Sequence, residues 1–148
     1  KKREVFDNDL EALANGHDPE ASGPWHIEQW HTASHNGGTA SASVRLSHDQ
    51  GFQISEASIG DGPVHAILSA FERATGHALT IRNFNIHSLS NGGDAQGQAS
   101  LIVDYMGREV RGNGVSTDIV EAAALAALEV VNRIERIKAP ECLAANLS

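Results

Sequence analysis

Asn36-Gly37-Gly38-Thr39-Ala40-Ser41-Ala42-Ser43-Val44-Arg45-Leu46-Ser47 reads as a tight turn feeding a strand. Ala40, Ala42, Val44 and Leu46 alternate with Ser41, Ser43, Arg45 and Ser47, which makes one face apolar and the other polar. The paired glycines supply the positive φ values that a tight turn needs. Upstream, Trp25 to Ser34 is the strand that the turn reverses. Downstream, Asp49-Gln50-Gly51 makes a second turn and Phe52 to Ile59 a third strand. Pro63 to about Thr75 then reads as a helix. Proline suits a first turn, where no N–H is needed, and Gly76 suits the stop.

The same plan recurs further along. Asn91-Gly92-Gly93 repeats the first triplet 55 positions on, and Gly112-Asn113-Gly114 repeats Gly60-Asp61-Gly62 at 52. Each Gly-x-Gly is read as a turn that opens a helix. Leu79 to Ser90 and Ala95 to Tyr105 read as strands, with Glu109 to Arg111 a short third one. A helix from about Ser116 to Lys138 carries Ile119, Ala123, Ala126, Val130, Ile134 and Ile137 as one apolar stripe. Asp118 and Glu121 sit where they complement its dipole. The expected class is α+β: two pseudo-symmetric βββα units, 24–76 and 77–138, packed together because neither can bury its sheet alone. Residues 3–15 read as a short linker helix, with Asn8 and Glu11 at capping-box spacing and Leu10 and Leu13 as anchors. A connecting loop runs to residue 23, and 139–148, with Pro140, reads as a frayed tail.

Composition narrows the function classes. The 148 residues are 41% hydrophobic and 20% charged, in the range of a globular chain. A net charge of −8 argues against nucleic acid or an anionic membrane as partner. The single cysteine, Cys142, excludes an internal disulfide and a multi-thiolate metal site, as expected of a cytoplasmic protein. The longest wholly apolar run, Ala122 to Leu128, is too short to span a bilayer. The start at Lys1-Lys2-Arg3, without Met, is expected of a piece of a longer chain.

Gly60-Asp61-Gly62-Pro63-Val64, Gly93-Asp94-Ala95-Gln96-Gly97 and the long run Gly112-Asn113-Gly114-Val115-Ser116-Thr117-Asp118-Ile119-Val120-Glu121-Ala122 resemble the C-terminal regulatory domain of 2-isopropylmalate synthases. The match covers roughly 24–137, and Lys2 to Leu10 resembles the linker subdomain that precedes that domain. The resemblance implies a homodimerising module that binds leucine for feedback inhibition. It sits behind a metal-dependent (β/α)8 barrel that condenses acetyl-CoA with 2-oxoisovalerate. Neither the barrel nor its metal ligands are in this sequence, so no catalytic residue, metal site or cofactor is expected here.

The resemblance carries an effector site onto Gly60, Asp61, Gly62, Val64 and His65; onto Ile81, Phe84 and Ser88, continuing to Ala95 and Gly97; and onto Val115. Backbone N–H groups at a helix start suit a carboxylate. Asp61 and Asp94 are candidates for the ammonium, and Val64, Ile81, Phe84 and Val115 for an apolar slot. Many relatives carry a small or acidic residue in place of His65. Two other functions stay open: the isoleucine-sensing domain of a citramalate synthase, and a structural dimerisation domain without a ligand. The histidines, including the His31–His35 pair, are read as surface or satisfied groups, and Trp25 and Trp30 as core or interface anchors. The Ala122 to Ala127 run fits either a core contact or a dimer seam.

Overall fold

The computed structural model describes residues 23–34, 37–89 and 96–147, with side chains through Lys138. The expected linker helix, the Asn91-Gly92-Gly93 turn, Asp94 and Ala95 lie outside the described residues. Strands β1 (Trp25–Ser34), β2 (Ala40–His48) and β3 (Phe52–Gly60) form one antiparallel sheet in the order β1-β2-β3, and helix α1 (Pro63–Thr75) follows. Strands β4 (Thr80–Ser88), β5 (Gly97–Tyr105) and β6 (Arg108–Ser116) form the second sheet, followed by α2 (Ile119–Leu147). The fold is the expected pair of βββα units.

Pseudo-symmetry extends below the level of elements. The first strand of each sheet slips register once, at Glu28 and at Arg82, 54 positions apart. In β2 the alternation places Ala40, Ala42, Val44 and Leu46 against α1, and in β5 Ala99, Leu101 and Val103 face α2. The turns follow from their residues. Met106 and Gly107 both take positive φ, as a two-residue I′ hairpin requires, and Gly76 ends α1 in the left-handed conformation with its N–H on the Glu72 carbonyl.

Two boundaries differ from those read in the sequence. Gly112-Asn113-Gly114 is no turn; it lies inside β6, in register with β5 as far as Ser116. The glycines are there because the α2 backbone rests on the strand. A Cβ at Gly112 would strike the Ala126 carbonyl, and one at Gly114 the Ala122 carbonyl. The Ala-rich run therefore forms a close helix–sheet seam within the chain, and Ala122, Ala123, Ala124, Ala126 and Ala127 are buried in it. Glu129, also buried, accepts the Asn113 N–H at 2.6 Å and so satisfies a donor on this edge strand. The second difference is that α2 continues past Lys138 to Leu147. Pro140 removes one helical hydrogen bond, yet the Glu, Leu and Ala residues beyond it favour helix enough to propagate it.

The units hold each other by reciprocal contacts. At the start of β1, the Asn132 side chain of α2 brackets Trp25, accepting its N–H at 2.9 Å and donating to its carbonyl at 3.1 Å. At the entry to β4, Glu72 of α1 accepts the Leu79 N–H at 2.7 Å. Each unit's helix thus anchors the first strand of the other. Trp25 and Leu79 are both buried, so a lost partner would leave a dry, unsatisfied backbone group costing about 1–3 kcal/mol.

Candidate functional site

The two helix starts are built differently. At α2, the Asp118 carboxylate accepts the N–H groups of Val120 at 2.8 Å and Glu121 at 3.4 Å. Ser116 completes the arrangement, donating its hydroxyl to Glu121 at 2.6 Å and accepting the Asp118 N–H at 3.0 Å. Asp118 and Glu121 thus serve the helix start, as the sequence suggested. At α1 the N-cap is Gly62, no side chain caps the helix, and its first turn holds no acidic residue. The N–H groups of Val64 and His65 have no carbonyl of the helix to reach, so a positive helix end lies open.

The turn before α1 is tightly packed. A Cβ on Gly60 would sit 2.7 Å from the Ala66 nitrogen and 3.0 Å from the His65 ring. His65 folds back over this turn, and its Nδ1 accepts the Asp61 N–H at 3.2 Å. The imidazole thereby consumes one backbone donor and leaves the Asp61 carboxylate exposed.

A second feature lies on β4. Ile81, Phe84, Ile86 and Ser88 pair with Val103, Leu101, Ala99 and Gly97, so they share the sheet face that α2 packs against. Yet α2 lies across β5 and β6 and, among the described elements, leaves this face of β4 largely open, with Phe84 packed against the core. Ile81 is 43% exposed and Ile86 39%, and Ile119 of α2, close to Gly97, is 47% exposed. The result is an apolar trough along β4, ending at Ser88 and Gly97.

The residues assigned by resemblance fall into three places. Gly60 to His65 form the turn and first turn of α1. Ile81, Phe84, Ser88 and Gly97 follow the trough, with Ile81 about 20 Å along the strands from the Ser88–Gly97 end. Val115 pairs with Gln98 and lies on the opposite face of the sheet. Among the described residues no hydrogen bond joins the Gly60–His65 turn to β4, β5 or β6. Asp94 and Ala95 lie outside the described residues.

One surface had not been read from the sequence. On the open face of the second sheet, Asn83, Asn85, His87, Ser100, Arg111 and Asn113 line a shallow groove of about 250 Å³. The alternation of Asn83, Asn85 and His87 was the available signal, since it marks a polar strand face. Arg111 pairs with Glu109 at 3.6 Å, and Asn113 accepts from Ser100 at 2.9 Å. Ile102 is the apolar residue among the lining side chains of this open face, which suits the groove poorly to an aliphatic side chain. Of the histidines, His26 is exposed beside Asp49, and His77 is buried on Glu135. Trp25 is a core anchor, and Trp30 packs against the core. Among the described residues, no three His, Cys, Asp or Glu side chains group to hold a metal ion, and no helix is long and apolar enough to cross a membrane.

Comparison with known proteins bears on this arrangement. Residues 4–135 match the family described as the LeuA allosteric (dimerisation) domain. The chain is 39% identical to a 2-isopropylmalate synthase of Proteus mirabilis (strain HI4320) over 137 residues, which is 92% of this chain and 26% of that protein. It is 41% identical to a 2-isopropylmalate synthase of Xanthomonas axonopodis pv. citri (strain 306) over 136 residues, again 92% and 26%. A 2-isopropylmalate synthase of Pectobacterium atrosepticum matches at 39% over 145 residues, or 95% and 26%. The chain thus spans about a quarter of the length of these relatives.

Proposed function

The chain belongs to the LeuA allosteric (dimerisation) domain family, and from that premise we propose that it is the leucine sensor of a cytoplasmic 2-isopropylmalate synthase. In this reading it binds the pathway's end product, dimerises and performs no chemistry. The parent's (β/α)8 barrel joins acetyl-CoA to 2-oxoisovalerate and holds the divalent metal.

The observation that carries the effector reading is the contrast between the two helix starts. Pseudo-symmetric positions should be treated alike, yet α2 is closed by Asp118 and α1 is left without any cap. An uncapped first turn with two N–H donors is suited to a carboxylate. Asp61 supplies a carboxylate for the ammonium group, and Val64 in the same turn supplies apolar surface for a branched aliphatic side chain. Binding at such a site alters a remote barrel only if the effector prefers one arrangement of the domain over another.

Isothermal titration with leucine tests the reading. Leucine is expected to release or take up heat at submillimolar concentration. Isoleucine, with its methyl branch displaced, is expected to bind about tenfold or more weakly. A folded chain that gives no heat at millimolar leucine would sink the proposal, and a preference for isoleucine would reassign the parent enzyme.

A further inference from the structure

Glu135, on the same face of α2 as Asn132, ties three parts of the chain together. Its Oε2 accepts the Trp25 indole N–H at 3.1 Å and lies 2.7 Å from His77 Nε2. Trp25 begins β1 in the first unit, His77 sits in the connector between α1 and β4, and Glu135 belongs to the second unit. Two bonds from separate segments therefore converge on one oxygen. Both donors are buried: Trp25 is 5% exposed and His77 9%. Neither bond is required by local secondary structure, since the partners are 110 and 58 positions apart.

We propose that Glu135 is a proton-operated latch between the two units. Ionised, the carboxylate holds the indole and the imidazole on α2. Protonated, it loses its charge and gives one lone pair to the proton, and both bonds weaken together. The Trp25 indole and the His77 imidazole are then released by a single event, while Asn132 keeps its hold on the Trp25 backbone and Glu72 on that of Leu79. The surroundings support ionisation as the resting state. Burial works against the charge, but the bonds from His77 and Trp25 and the positive charges of His77 and Lys138 outweigh it and hold the carboxyl below its usual range.

Other titratable groups lie near the node. His48 on β2 meets the Trp25 ring edge-on at 4.7 Å, and Glu72 on α1 bonds Leu79, two residues beyond His77. His26, next to Trp25, is paired with Asp49 away from the node. A carboxyl lowered in the folded state contributes its full stabilisation above its unfolded value, about 4.3, and loses it as pH falls through the folded value. The latch is therefore closed at neutral pH and opens on acidification.

The chain has two tryptophans, so replacing Trp30 by Phe identifies the Trp25 indole resonance in the full 148-residue chain. On lowering the pH from 7, that resonance is expected to move in a step below about pH 4.3, distinct from any step in the ordinary imidazole range at about pH 6.5, while far-UV circular dichroism is unchanged. In Glu135→Gln the step should vanish, and indole N–H exchange at pH 7 should quicken by about tenfold. If Glu135→Gln does not fold, His77→Gln serves instead. Removing the imidazole takes away a group that favours the charged form, so the step should shift to higher pH. A wild-type resonance that does not move, a step that persists in Glu135→Gln, or one unshifted in His77→Gln would overturn the latch.

Discussion

At the scale of single residues, the chain relies on positions where nothing larger than hydrogen is tolerated. Gly112 and Gly114 let α2 lie directly on β6, with helix carbonyls occupying the space a side chain would need. Gly114→Val should therefore lower stability by about 1–3 kcal/mol, or more, through overpacking against an unyielding backbone. The check is a fall in the urea midpoint at constant m-value, and an unchanged midpoint would show that the helix can lift away. These residues also mark what the sequence could not convey. Val110, Gly112, Gly114 and Ser116 all point inward, but glycine and serine give no hydrophobic alternation for a strand to be read by. The likeness of Gly112-Asn113-Gly114 to Gly60-Asp61-Gly62 then suggested a turn. A glycine that admits a neighbouring backbone and a glycine that bends its own look identical in sequence.

At the scale of elements, the open start of α1 separates stability from binding. Gly62 has extended backbone (φ −154°), and a Cβ there would meet nothing within 4 Å. Gly62→Asp should cap the helix and gain a few tenths of a kcal/mol. The same carboxylate would occupy the N–H groups assigned to leucine and repel the ligand's own. Leucine affinity is expected to fall about tenfold or more while the melting temperature holds or rises slightly. Unchanged affinity would remove α1 from the site. The elements themselves were largely legible: β1, α1 and the cores of β2, β3 and β5 follow from alternation, turn glycines and Pro63. The site was less so. Ile81, Phe84 and Val115 look equivalent as apolar letters, yet strand parity sends Val115 to the far face, and register puts Ile81 far from Gly97. Distances across a sheet depend on pairing, which one strand's own residues do not specify.

At the scale of the whole molecule, both sheets have a helix on one face, and among the described elements no helix packs extensively over the apolar side of β4. Together with membership of a dimerisation family, this leads to a homodimer as the expected state. Sedimentation equilibrium should return twice the 15.7 kDa of one chain, and a monomer at tens of micromolar would contradict it. The reciprocal anchoring of the two units also governs the timing of assembly. Trp25 is translated 107 positions ahead of the Asn132 that holds it. At about 5–20 residues per second, β1 waits roughly 5–20 s for its anchor, far longer than a hairpin takes to form. The duplicated half made first is thus obliged to remain provisional until the half made second arrives.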